Sequence, residues 1–316
     1  MSVPAILSSL RLPAFGAPLF IVSNPDLVIA QCKAGIVGSF PALNARPQSQ
    51  LGEWIHQIRE ELAAHDRDHP GAPSAPFAVN QIVHRSNDRF EADMATCEQY
   101  KVPLVITSLG ARAELNDAVH GWGGITLHDI IDNRFALKAI AKGADGLIAV
   151  AAGAGGHAGK WSPFALIQEI RQWFDGPLAL SGAIATGGAV LAAQAMGADF
   201  AYIGSPFIAT PEARASHDYK QGIVDGGAGD IVNSALFTGI NGNYLRASIV
   251  AAGLDPEKLD APGADAMNFE SASGAKAWRD IWGSGQGIGV IDRIVPTAEL
   301  VDRLAREYAA AKARLG

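Results

Sequence analysis

The sequence predicts an α/β protein, a (β/α)8 TIM barrel with a C-terminal insertion or cap region, and three observations support that class. Short apolar runs rich in Val, Ile, Leu and Ala recur eight times in roughly the first 210 residues. The runs are nearly continuous rather than alternating, the pattern of strands covered on both faces of a parallel sheet. A segment of helical spacing follows each run, and eight β/α units in about 200–250 residues suit a closed barrel better than an open doubly wound sheet.

Taken in order, the strands are expected at 17–22 (APLFIV), 35–40 (GIVGSF), 77–83 (FAVNQIV), 103–109 (PLVITSL), 123–130 (GGITLHDI), 145–153 (DGLIAVAAG), 177–184 (PLALSGAI) and 200–208 (FAYIGSPFI). Residues 24–34 read as a helix because Asn24 is an N-cap, Pro25 occupies the first helical position and Gly35 ends the pattern. Residues 162–173 repeat the Ser-Pro start, and 186–196 run up to Gly197. The polar, proline-rich stretch 66–77 is expected to be an exposed loop. The barrel is assigned to 1–210 and completed by a charged amphipathic helix at 296–316. Residues 211–295, which include TGINGNYLR (238–246) and AAGLDPEKL (251–259), are expected to form an appended cap over the mouth.

With 316 residues and 48% hydrophobic composition, the chain can build one large core or two modest ones. Its net charge is −7 and its lysines and arginines are scattered, which argues against a nucleic-acid partner or a polybasic membrane patch and for a small molecule. Cys32 and Cys97 are too few for a disulfide framework, a Cys-based zinc site or an iron–sulfur cluster, so both are expected to be buried thiols and no metal is expected. The opening MSVPAILSSLRLPAFGAP is too broken by proline for a signal peptide, and no stretch approaches the roughly 18 apolar residues of a membrane span. A soluble cytoplasmic protein is expected, with the insertion and the last helix as surfaces for a possible homodimer.

In a barrel of this kind the working residues lie at the C-terminal ends of the strands. That selects Ala17 and Pro18, Asn80, Thr107 and Ser108, His128 and Asp129, Gly153 to His157, Ser181 and Gly182, and Gly204 and Ser205. Glycines in SGAIATGG (181–188) and IGSPF (203–207) follow the seventh and eighth strands, where backbone amides can converge on a phosphate; alternatively they only permit tight turns. Lys138 either contacts an electron-poor ring or a phosphate, or is a solvated helix lysine. Ser108 and His128 are weaker candidates for substrate contact, since a strand-end serine also caps helices. The run AAGAGGHAGK (151–160) places His157 among residues with almost no side chain, which marks a tight loop.

These segments resemble the nitronate monooxygenases, formerly 2-nitropropane dioxygenases, which are FMN-dependent TIM barrels. The likeness runs over essentially the whole chain, through APLFIVSNPDLVIAQCKAGIVGSFPALNAR, VNQIVHRSN, AAGAGGHAG, LSGAIATGGAV and GADFAYIGSPFIAT. AGGHAG is the specific part. The resemblance implies His157 as the catalytic residue facing the substrate. It also implies FMN contacts at Ala17, Pro18, Asn80, Lys138, Gly153, Ser181, Gly182, Gly204 and Ser205. Leu19 stands where many members have methionine, and Ser205-Pro206 replaces the more usual Thr-Arg. The implied reaction is oxidative denitrification of an alkyl nitronate or nitroalkane with O2, giving a carbonyl compound and nitrite. A histidine suits it, either as the base for the carbon-bound proton or, once protonated, as the partner of the anionic nitronate.

Three other functions are compatible with the same strand ends. One is an NAD(P)H-dependent flavin reductase of quinones or enoyl thioesters, which binds the nucleotide without a Rossmann fingerprint. Another is a sugar-phosphate aldolase or isomerase using the same phosphate loops. The third is a non-catalytic FMN-binding protein.

Overall fold

The computed structural model describes residues 3–259 and 279–315. Its first half runs β1 (Ala14–Gly16), α1 (Pro25–Lys33), β2 (Gly38–Pro41), α2 (Gln50–Asp68), β3 (Phe77–Ile82), α3 (Phe90–Gln99), β4 (Leu104–Ser108), α4 (Ala113–Gly121), β5 (Ile125–Ile130) and α5 (Asn133–Ala141). There follow β6 (Gly146–Val150), a two-residue strand β7 (Gly156–His157), α6 (Pro163–Arg171), β8 (Leu178–Ser181), α7 (Gly187–Met196), β9 (Phe200–Ile203) and a single turn, α8 (Ser205–Ile208).

Among the described residues eight parallel strands form one sheet in the order β1-β9-β8-β6-β5-β4-β3-β2. The two ends meet where Phe15 bridges Val37 and the Gly16 N–H donates to the Val37 carbonyl at 2.7 Å, closing a TIM barrel. Successive side chains point alternately into the barrel and toward the helices. The interior is therefore one apolar cluster, with Phe15, Ala78, Ile106, Leu127, Ile148 and Phe200 among its members. The alternate positions Val79, Val105, Leu147 and Ala201 pack outward under the helices.

The start signals for the helices are realised in side-chain contacts. Asn24 accepts a hydrogen bond from the Leu27 N–H and caps α1, Thr186 caps α7 through the Ala189 N–H, and Gly197 ends α7 in the left-handed region. The expected first strand is corrected: the strand is Ala14–Gly16, and 17–22 is a turn. Pro18 has no N–H to offer a ladder, Ile21 adopts φ 58°, and Asn44 clamps the turn, accepting from the Ile21 N–H and donating to the Leu19 and Ser23 carbonyls. The expected loop 66–77 is shorter than its composition suggested, since α2 continues to Asp68 and stops just before Pro70. Cys32 and Cys97 are buried free thiols, each pushed up to about 12 by burial.

Beyond the barrel come α9 (His217–Asp225), the hairpin β10 (Ile231–Ser234) and β11 (Gly242–Leu245), α10 (Arg246–Ala251) and the terminal helix α11 (Thr297–Leu315). The stretch 260–278 of the expected insertion, and residue 316 of the expected terminal helix, lie outside the described residues. The hairpin region has a small apolar cluster of its own, made by Phe237, Tyr244, Ile249, Leu259 and Ile281. It is nevertheless tied to the barrel, because β7 pairs antiparallel with β11 as the third strand of its sheet. The terminal helix packs on α7 and α1. Among the described residues no helix is long and apolar enough to cross a membrane.

Candidate active site

Strand alternation decides which polar side chains enter the barrel mouth. On the adjacent strands β3, β4 and β5, Asn80, Ser108 and Asp129 occupy the inward positions and form a chain of hydrogen bonds. The Asn80 amide donates to Ser108 Oγ at 2.7 Å, and the Ser108 hydroxyl donates to Asp129 Oδ2 at 2.6 Å. Tyr202 enters from β9, its ring 6.3 Å from that of Phe15. Neither Asp129 Oδ1 nor the Tyr202 hydroxyl has a hydrogen-bond partner among the described residues, although both atoms are sealed from solvent. Burial pushes the Asp129 carboxyl up to about 7, opposed by the Ser108 hydrogen bond. Burial, and then the Asp129 charge, raise the Tyr202 hydroxyl well above its ordinary value.

His128 is one residue from Asp129 and on the opposite face. It points outward, where its Nδ1 pairs with Thr107 Oγ1, and burial followed by the Lys142 cation holds it down at about 4. The structure thus does not bring His128 to the mouth. Nor does it bring Lys138 there, since that residue is exposed in the last turn of α5, well along the helix from the strand end.

His157 reaches the site by a different route. After β6 the chain doubles back, with the Gly159 N–H donating to the Val150 carbonyl, and β7 is strapped to the insertion. His157 pairs with Gly242, Gly156 with Asn243, and the Asn243 amide donates to the Ala154 carbonyl at 2.6 Å. His157 Nε2 lies 3.0 Å from Thr238 Oγ1. The Thr238 hydroxyl has one proton and two other neighbours for it, the Ile240 carbonyl at 3.1 Å and the Tyr244 hydroxyl at 3.4 Å; with the proton given to either, its oxygen accepts the Nε2–H. This network, from which the tautomer is inferred, puts the ring's lone pair on Nδ1. Burial lowers the His157 pKa, favouring the neutral imidazole.

The other strand ends supply mostly backbone. Ala17 is buried and its N–H donates to the Ile203 carbonyl at 2.8 Å, with Pro18 half-buried behind it. Gly204 borders the same corner, where an added Cβ would touch Leu19 and Ala17. Ser181 ends β8 in register with Val150 and Tyr202, and Gly182 turns beside the Ala152 carbonyl. Ser205 Oγ accepts the Gly285 N–H at 2.9 Å. The α7 terminus is not part of this group, because its Gly187 N–H is taken by Glu307 of α11 at 2.8 Å.

Sequence reasoning missed the stretch 283–287, GSGQG. It ties three loops together: Ser284 N–H donates to the Asn243 carbonyl, Gln286 N–H to the Gly153 carbonyl, and Gly285 N–H to Ser205. The bare Gly155 is required by this stretch, since a Cβ there would lie 2.8 Å from the Gly285 nitrogen. Its glycine density is the same signal that drew attention to 151–160. Thr238, by contrast, had no such signal.

The family model of the nitronate monooxygenases matches residues 29–307. Over 93% of its length the chain is 26% identical to the nitronate monooxygenase of Paraburkholderia phytofirmans, covering 92% of that protein. It is 24% identical to the nitronate monooxygenase of Neurospora crassa, over 92% of this chain and 87% of that one. Among solved structures, nitroalkane oxidase from Streptomyces ansochromogenes has TM-score 0.82 at 24% identity, covering 98% of this chain and all of that one, 100%. FabK from Thermotoga maritima has TM-score 0.81 at 22% identity, over 98% and 96%. At such identities the structures speak to the fold, whereas the family match spans most of the residues. The chain belongs to the nitronate monooxygenase family.

Proposed function

We propose that this protein is an FMN-dependent nitronate monooxygenase, acting in the cytoplasm on alkyl nitronates and, after loss of the α-proton, on nitroalkanes, with O2, to give a carbonyl compound and nitrite. Family membership supports the coarser statement, a flavin-dependent oxidoreductase. The observation that carries the finer one is the strapped His157, oriented through Nε2 by Thr238 and favoured as the neutral imidazole by burial.

The mouth fits a flavin. Above an apolar interior it offers polar atoms that lack protein partners among the described residues, Asp129 Oδ1 and the Tyr202 hydroxyl, with Ser284 Oγ beside Gly155 as a third. Of the glycines edging these loops Gly204 leaves the most room for close backbone approach, an added Cβ lying no nearer than 3.4 Å to Leu19, whereas Gly153 and Gly182 are packed against Ala183 and the Ala152 carbonyl. In this reading Ala17, Pro18, Asn80, Gly153, Ser181, Gly182, Gly204 and Ser205 hold the cofactor, and Lys138 has no part. What a bound flavin supplies is the capacity to oxidise the nitronate and engage O2.

The chain's own task is positioning and proton transfer. His157 Nδ1 accepts the carbon-bound proton of a neutral nitroalkane, and the imidazolium so formed stays paired with the nitronate anion. With a pre-formed nitronate only the second role is needed. The test is nitrite release measured together with O2 uptake on propyl-2-nitronate and 2-nitropropane. About two nitrite should appear per O2 consumed on both substrates, the ratio at which substrate, O2, carbonyl compound and nitrite balance with no outside reductant. NADH oxidation with a quinone or an enoyl thioester, and no nitrite, would turn the assignment to a reductase on the same barrel.

A further inference from the structure

Among the side chains of the mouth, Asp129 is the carboxyl whose hydrogen bonds do not close among the described residues. The chain from Asn80 through Ser108 has a fixed direction, because each hydrogen is donated once: amide to Ser108 Oγ, then Ser108 hydroxyl to Asp129 Oδ2. That leaves Oδ1. It is shut off from solvent, has no partner among the described residues, and Asp129 is in none of the ion pairs among them. A carboxylate with one bare oxygen in such a place carries a large desolvation penalty with no cation to offset it. A neutral acid with its proton on Oδ1 avoids that penalty but presents an O–H in need of an acceptor. The Tyr202 hydroxyl, from β9, is a second buried donor in the same condition.

We propose that Asp129 is carried as a neutral carboxylic acid whose Oδ1–H, together with the Tyr202 hydroxyl, forms a donor pair for the acceptor edge of the bound flavin ring. This assignment rests on the flavin reading above. Flavin rings carry carbonyl oxygens and ring nitrogens along one edge, so two donors without competing partners suit them, and a neutral donor adds no negative charge beside a ring that has to accept electrons. The arrangement is pH-sensitive. The groups facing Asp129 are Ser108 from β4 and Tyr202 from β9, and the latter stays protonated, so Asp129 alone titrates there near neutrality, at about 7. Once ionised it loses the donor and places a negative charge at the ring.

The experiment is FMN affinity across pH for the wild type, Asp129→Asn and Ser108→Ala, with infrared spectra of the same proteins to detect the carbonyl band of a protonated carboxylic acid. From about pH 6 to about pH 8.5 the wild-type dissociation constant should rise by about tenfold, the worth of one hydrogen bond. Asp129→Asn should be flat, because an amide keeps a donor at every pH. Ser108→Ala should move the midpoint to higher pH, since the lost hydrogen bond favoured the carboxylate. The carboxylic-acid band should be present at the lower pH and absent from Asp129→Asn. Equal pH profiles for wild type and Asp129→Asn, with no difference in that band, overturn the assignment while leaving the flavin reading intact. Failure of the wild type to take up FMN at any pH overturns both.

Discussion

His157 belongs to the barrel by sequence and to the insertion by contact: its Nε2 sits 3.0 Å from Thr238 Oγ1, a residue 81 positions along the chain. The loop after β6 supplies the imidazole and the hairpin supplies its orientation. Removing either should damage proton transfer in distinguishable ways.

His157→Asn should lower kcat/KM on neutral nitroalkanes by about 10²–10⁴-fold, the usual contribution of a general base, and affect pre-formed nitronates far less. Thr238→Val should cost about tenfold on nitroalkanes, because the imidazole loses the acceptor that fixes its tautomer. Comparable losses on nitronate and nitroalkane in either variant would contradict the base role.

The pH profile of kcat/KM on a nitroalkane should rise with pH through a pKa below the ordinary value of about 6.5, since burial favours the neutral, proton-accepting imidazole of the free enzyme. The rise should vanish with pre-formed nitronate. A limb centred well above 6.5 on the nitroalkane would show that another group is the base.

Asp129 and His128 should pull stability in opposite directions. Asp129 binds its proton more tightly folded, at about 7, than unfolded, where a carboxyl titrates near 3.9; the native chain holds the extra proton between these values, so stability falls as pH rises through the window. His128 is held at about 4 against about 6.5 unfolded, so the unfolded chain binds more protons there and stability is lost as pH falls through that window. The slopes oppose each other between about pH 4 and 6.5. Urea denaturation of flavin-free Asp129→Asn should show a gain over wild type near zero at about pH 4 and of the order of 2 kcal/mol at about pH 8, solvent contact on the rest of the side chain being discounted. A difference that does not change with pH would refute this.

Gly187→Ala drives a methyl into the Leu304 carbonyl, a backbone atom that moves only with the whole of α11. Denaturation should show a loss of about 3 kcal/mol or more. Gly188→Ala, whose nearest neighbour is Thr186 Oγ1 at 3.9 Å, should be neutral or stabilising by up to about 1 kcal/mol. Similar effects for the two would mean that the α7–α11 contact is not tight.

Most of the barrel could be read before folding because its signals are local. Asn24 and Thr186 announce helix starts by capping nearby N–H groups with their side chains, Gly197 announces a helix end by its left-handed backbone, and continuous apolar runs announce buried parallel strands. The same continuity hides which face a strand residue takes, so His128 and Asp129 looked equivalent although one points out and the other in. The first strand moved to Ala14–Gly16 because the clamp on the next turn comes from Asn44, beyond any local window. Thr238 and Ser284 act across 81 residues or more from the loop they support, and only the closed chain brings them there.

The most direct test of the central claim is an anaerobic absorbance spectrum of the flavin-loaded protein, mixed in separate cuvettes with propyl-2-nitronate and with NADH. Flavin absorbance should change with the nitronate and stay unchanged with NADH. Bleaching by NADH alone, or a protein that holds no flavin, would contradict it.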